Sequence, residues 1–459
     1  MKNISLSHIF RSYKLSDVFT PSTVAKLTYV ERKDVESDLI RNIGIPGLQI
    51  VLYGHSGSGK STLIINKLNE LKINRIKTNC TENTTFDQLI LAAFDKLSSF
   101  YRTETSASIS ISIDSAIRTK YFEIESQIGR TLTTNETETS QRIVPIQLTA
   151  ERLSEFLGAA RCVWVIEDFH KVKDVEKKKL SQVLKVFMDT ASKYPDVKVI
   201  CLGAVGTARE LIAYDKELSN RVTESYVPLM SDAEIREIIS QGFRLMNIKT
   251  PEEDLIEKII HYSNNLAAVC HQLCYDICYS KNIYESSFWK KEIDPKDFEA
   301  SVKMYIRKVS DTFNSYYEKI SGEPDLKEAL TQVIGLEKDM FDGDDILKDK
   351  KRLSKAERDQ ILMELTTLET GELLRYNLNA KKFSFSNPFF QAFLKMQFAV
   401  ERAKKQSRKK GIKMELFNDI QYSEYFQIIS EMIEHRKKII DEFEENIRKR
   451  KKHLTPAST

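Results

Sequence analysis

From Gly54 to Thr62 the chain reads Gly54, His55, Ser56, Gly57, Ser58, Gly59, Lys60, Ser61, Thr62, the Gly-x-x-x-x-Gly-Lys-Ser spacing of a phosphate-binding loop. Glycines let backbone N–H groups come close to a phosphate without a Cβ in the way. The helix that follows turns the positive end of its dipole to the same spot. Lys60 would meet the β- and γ-phosphates of a nucleoside triphosphate, and the Ser61 hydroxyl would take Mg²⁺. The flanks agree, because the apolar run Leu48–Tyr53 predicts a strand before the loop and the residues after Thr62 predict a helix.

A triphosphatase needs a second acidic site at a neighbouring strand end, to hold the metal and orient the attacking water. The apolar run Val163–Ile166 ends in Glu167 and Asp168. By register, Glu167 would serve the metal and Asp168 would polarise the water. Most such sites place Asp first, so the pair is better defined than the division of labour within it. A GTPase would show an Asn/Thr-Lys-x-Asp base-reading motif downstream, and an ABC-type ATPase would carry Leu-Ser-Gly-Gly-Gln; the chain has neither. ATP with Mg²⁺ is therefore the expected ligand.

These residues need a scaffold, and strand and helix signals alternate after the loop as in a parallel sheet with crossover helices. Strands are predicted at Arg75–Cys80, Cys162–Ile166, Val197–Leu202 and Glu224–Val227, with helices at Thr85–Leu97, Thr149–Leu157 and Asp174–Tyr194. The Ser/Thr-rich stretch 98–147 reads as an insertion, an edge hairpin or a mobile loop, with strict alternation over Ser106–Asp114. Capping boxes at Ser231 and Ser354, and a helix start at Thr250, open helical units. Gly371–Leu378 and Lys382–Ser386 then read as a two-stranded wing. The expected fold is an α/β P-loop ATPase with flanking helices (1–230), followed by an all-helical lid (231–320), a winged-helix domain (321–400) and a basic helical tail (401–459).

The 459-residue composition is that of a soluble protein with 30% charged residues; no run approaches a membrane span and no secretory leader is evident, so a cytoplasmic location without a membrane partner is expected. Residues 401–459 carry fifteen Lys and Arg against ten Asp and Glu, more than the whole net charge of +4. Acidic clusters between the basic runs favour a solvated helix over a nucleic-acid arm. Six sparse cysteines fit reduced thiols; Cys270, Cys274 and Cys278, four apart beside His271, read as a buried helical stripe rather than a metal site.

Over residues 25–400 the chain resembles the AAA+ and STAND ATPases, in particular the branch similar to origin-recognition initiators. The marks are Tyr29-Val-Glu-Arg32-Lys-Asp-Val-Glu36 ahead of the loop, the loop itself, the acidic strand end followed by Phe169-His170, Ser219-Asn-Arg221 before the last strand, and the wing. The resemblance implies that Val30 and Arg32 pack against adenine. It implies that Arg221 is either a finger reaching a neighbouring subunit's γ-phosphate or an ordinary salt-bridged arginine, and that Thr207 is a phosphate sensor. It departs at the lid, where Asn264–His271 holds no arginine. Implied functions are a homo-oligomerising ATP-driven switch with a protein effector in defence or signalling, or an ATP-gated DNA-binding protein of initiator or transposition-regulator type, DNA meeting the wing or the tail.

Overall fold

The computed structural model describes residues 12–102, 113–133, 146–204, 218, 220–249, 251–336, 338, 340–346, 353–378 and 380–410. Cys162–Glu167 and Val199–Gly203 are buried on both faces almost throughout, which only strands covered on both sides allow. They form the middle of a parallel sheet of β1 (Gln49–Tyr53), β2 (Asn74–Asn79), β3 (Cys162–Glu167), β4 (Val199–Gly203) and β5 (Val222–Tyr226), in the order β2-β3-β4-β1-β5. All five run the same way, so Gly54 and Glu167 leave the sheet at one edge, separated by β4, and Arg221 enters β5 at the opposite edge.

Helices α1 (Leu15–Val18), α2 (Lys33–Gly44) and α3 (Lys60–Glu70) precede β2. One face of the sheet packs on α2 and α3 through Ile50, Leu52, Ile64 and Leu202. The other face is covered by α4 (Phe86–Arg102), α5 (Ser115–Thr133), α6 (Ala150–Ala159) and α7 (Asp174–Thr190). At its centre Trp164 is fully buried, and its indole N–H donates to Thr78 Oγ1 at 2.9 Å, so the large ring is buried without an unmet donor.

Within 98–147, residues 98–102 and 115–133 are helical, and a hairpin or loop reading of those residues is corrected. Helix α4 continues to Arg102, and α5 lays Tyr121, Ile124 and Ile128 into the core at helical spacing. Tyr121 stacks on Tyr101 at 4.2 Å and on Phe94 at 4.3 Å, and both tyrosine hydroxyls donate to main-chain carbonyls. Abundant Ser and Thr masked a 3.6-residue apolar period. The alternating residues 106–112 lie outside the described residues.

The C-terminal half is built from α8 (Asp232–Leu245), α9 (Glu253–Ser263), α10 (Ala267–Ser280), α11 (Pro295–Gly322), α12 (Pro324–Ile334) and α13 (Lys355–Glu364), then the antiparallel pair β6 (Leu374–Asn377) and β7 (Lys382–Phe385), then α14 (Pro388–Lys410). Capping boxes form at Ser231 and Ser354 as expected. Glu252 instead caps α9 by backbone alone, and Thr250 lies outside the described residues. Cys270, Cys274 and Cys278 are fully buried free thiols in one continuous core shared by these helices.

Residues 12–30 pack on this half. Leu15 N–H donates to Tyr284 O, and Phe19 lies fully buried edge-on to Phe243 and His271. A Cβ placed on Gly242 of α8 would stand 2.3 Å from the Phe19 ring. Gly242→Ala, normally stabilising in a helix, should here lower stability by about 1–3 kcal/mol through overpacking, read as a lower urea midpoint. An unchanged or higher midpoint would show that the Phe19 ring is not held.

Candidate nucleotide site

Strand β1 delivers the chain into the loop, and Gly59, with φ 88°, caps the N-terminus of α3. Gly57 also has a left-handed φ, 78°, which an L side chain rarely adopts. A Cβ there would lie 2.6 Å from Phe389 Cζ and 2.8 Å from Leu266 Cδ2, so the loop crest is covered by α14 and by the residue that caps α10. Lys60 Nζ donates to the carbonyls of Gly54 at 3.0 Å and His55 at 2.8 Å. Burial pulls its ammonium below the ordinary lysine range, and Asp168 and Glu167 oppose that shift.

A cavity of about 230 Å³ runs along the loop from Ser56 to Leu63 and takes in Asp168. Its remaining wall comes from residues 20–32 and from Met230, Ile238, Ala267, Ala268 and His271. Gly54 and His55 face away, into a wider cavity of about 840 Å³ shared with Arg375 and Phe389. Asp168 has φ 56° and pairs with Lys171 at 2.7 Å. Glu167 pairs with Lys77 at 2.7 Å through Oε2, while its Oε1 is buried without a hydrogen-bond partner. His170, next in line, keeps a buried Nδ1 without a partner, and burial pushes its imidazole below the ordinary range. Among the described residues no group of three or more His, Cys, Asp and Glu could hold a metal ion. A divalent cation here would rest on one or two oxygens plus phosphate and water, the manner of Mg²⁺.

A family model for an ATPase domain predominantly from Archaea matches residues 44–268, the span that holds the loop, the sheet from β1 to β5 and the first helices of the C-terminal half. Residues 44–268 are thus similar to an ATPase domain, and they hold the phosphate-binding loop. No curated protein matches it in sequence. A Walker-type ATPase of Pyrococcus abyssi aligns over 81% of this chain and 100% of its own, at 16% identity and a TM-score of 0.49. The ORC2 protein of Aeropyrum pernix, solved as ADPNP–ADP complexes, covers 85% and 98% at 10% identity and a TM-score of 0.45. Cdc6p of Pyrobaculum aerophilum covers 83% and 97% at 15% identity and a TM-score of 0.42.

Ahead of the matched span, Val30 is buried at the cavity wall. Arg32 also lines the cavity, but its guanidinium is committed to protein: Nε to Glu234 at 3.2 Å, Nη1 to Ser58 O at 3.1 Å, and Nη2 to Pro228 O and Leu229 O at 3.0 Å each. Arg221 is far from the loop; it is exposed, its Nη1 lies 3.4 Å from Asp189, and its carbonyl accepts from Gln49 N–H at the other sheet edge. Thr207 and Ser219 lie outside the described residues. At the lid, Asn264 takes a left-handed φ of 51° and donates to Pro388 O and Gln391 Oε1 at 3.0 Å each, tying α9 to α14.

Two features of the site are not legible in the sequence: that Arg32 is a clamp, and that His271 reaches the cavity. His271 had been absorbed into the cysteine stripe beside it, although it is the polar member of that apolar helix face. Arg32→Ala would strand Glu234 and three main-chain carbonyls that now share one guanidinium. A loss of about 3 kcal/mol is expected in a denaturant titration, well above that of an exposed arginine. A loss under about 0.5 kcal/mol would mean that water replaces the clamp without cost.

Proposed function

We propose that this chain is an ATP-binding and ATP-hydrolysing switch of the AAA+/STAND kind, which assembles with copies of itself when ATP is bound and acts on a protein effector, in defence or signalling. The observation that supports it most is that one cavity joins the loop, Asp168 and the lid, while Leu266 and Phe389 sit on the loop crest. A phosphate chain entering the loop would draw Lys60 off the Gly54 and His55 carbonyls and reset the loop against those two side chains.

In this reading the backbone N–H groups of residues 55–60 and the N-terminus of α3 hold the phosphates, with Lys60 as the mobile cation. Ser61 and Glu167 would hold Mg²⁺, which when bound offsets phosphate charge; the unpartnered Glu167 Oε1 is the free oxygen such a role needs. Asp168 polarises the attacking water. Arg221, exposed at the opposite edge, serves a neighbouring subunit rather than its own site. A DNA-reading role for the wing finds less support, because Lys355 and Arg358, the cations of α13, are paired with Asp342 and Asp344.

Two experiments test this. Lys60→Ala should lose ATP binding, while Asp168→Asn should keep it and lose about a hundredfold or more of turnover; parental hydrolysis by Asp168→Asn would place the water elsewhere. Arg221→Ala should bind ATP normally yet hydrolyse it about a thousandfold more slowly. Mixing it with Lys60→Ala protein, which keeps an intact arginine, should restore part of the activity. Full activity of Arg221→Ala alone, or no recovery from a proven mixed assembly, leaves Arg221 as an ordinary partner of Asp189.

A further inference from the structure

We infer that His271 reads the base of the bound nucleotide, its Nε2–H donating to a ring nitrogen of a purine. The inference rests on the nucleotide reading of the cavity and adds to it the group that recognises the base.

The wall formed by residues 20–32 and the lid has few polar side chains to offer, and most are already committed. Thr28 Oγ1 donates to Val18 O at 2.8 Å, and Tyr29 OH donates to Glu36 Oε1 at 2.5 Å. All three nitrogens of the Arg32 guanidinium bond to protein. Thr23 is exposed, and two less exposed groups stand apart. The Thr20 hydroxyl is buried with no hydrogen-bond partner. His271, only 3% exposed, has a single hydrogen bond, its Nδ1 accepting from Thr20 N–H at 3.2 Å.

That bond settles the tautomer. A ring nitrogen that accepts carries no proton, so in the neutral imidazole the proton sits on Nε2. Burial pushes the imidazole down to about 4, so the ring is neutral at ordinary pH and keeps this one donor. The ring is fixed from a second side by Phe19, edge-on at 6.1 Å. A donor set in an apolar wall gains where a ligand supplies its acceptor. Around it stand Val30, Met230, Ile238, Ala267 and Ala268, a wall suited to a flat aromatic ring. A purine joins such a ring to nitrogen lone pairs in its plane. A neutral imidazole here also suits an apolar wall better than a lid arginine, whose charge would need its own counter-ion.

The test uses the full chain and equilibrium binding of ATP and its 1-deaza, 3-deaza and 7-deaza analogues, in each of which one ring nitrogen is replaced by C–H. Wild-type protein should bind one of the three about five- to tenfold more weakly than ATP, the size expected for one neutral hydrogen bond. His271→Asn keeps an acceptor for Thr20 N–H but loses the outer donor; it should bind ATP more weakly by the same factor and no longer distinguish that analogue. His271→Gln, whose amide nitrogen reaches nearer to the Nε2 position, should recover most of the difference. Equal binding of ATP and all three analogues by wild-type protein overturns the inference without any variant, as does a His271→Asn protein that is folded by circular dichroism and binds like wild type. Lys60→Ala separates the two levels. ATP binding that depends on Lys60 but ignores His271 sinks only the base reading, whereas wild-type protein that binds no ATP sinks both.

Discussion

The nucleotide end of this molecule depends on how one buried charge is neutralised. Arg32 is 6% exposed, and its guanidinium meets a carboxylate on α8, a carbonyl inside the phosphate loop and two carbonyls where the chain leaves β5 for the lid. A guanidinium can do this because its donors are held in a planar fork, whereas an ammonium could not span the same partners. Behind it, Glu36 accepts from Arg32 N–H at 2.8 Å and from Tyr29 OH, and pairs with Lys67 of α3 at 2.6 Å. Segment, loop, sheet and lid are thereby fixed to one another before any ligand arrives. The cavity exists because these four pieces cannot drift apart.

What the residues alone revealed was whatever depends on short-range order. The loop spacing, the acidic strand end, each single strand and the cysteine stripe sit within a dozen residues and follow from period and residue type. Partnerships across the chain were hidden. Nothing near Arg32 announces Glu234, some two hundred positions away, and nothing near His271 announces Thr20. Helix α5 was hidden for another reason: it lies in a stretch whose Ser- and Thr-rich runs read as loop, while Tyr121, Ile124 and Ile128 recur at helical spacing and are buried. Arg221 directly precedes β5, and the parallel pairing of β5 with β1 puts it at the strand end opposite the loop.

The same geometry places two cavities on either side of the loop. Lys60, Ser61 and Asp168 face one cavity, and His55 faces another, where burial and then Arg375 of β6 hold its imidazole below the ordinary range. One turn of backbone therefore presents one side to the cavity shared with Asp168 and the other to the C-terminal half. The crest between them, at Gly57, has no side chain of its own, so Leu266 and Phe389 rest directly on the backbone that a phosphate would grip.

Phe389 is the second residue of α14, whose 23 residues span about 35 Å at 1.5 Å per residue. Its near end is wedged at the loop, and its apolar face is gripped by Phe313 and Tyr317 of α11, so the helix turns only together with that core. Such a rod multiplies displacement. A tilt of about 10° at the wedge carries the far end about 6 Å, a distance comparable to one helical turn. The smallest rearrangement at the bottom of a phosphate loop would thus be delivered, enlarged, where residue 410 hands the chain on to its basic final stretch.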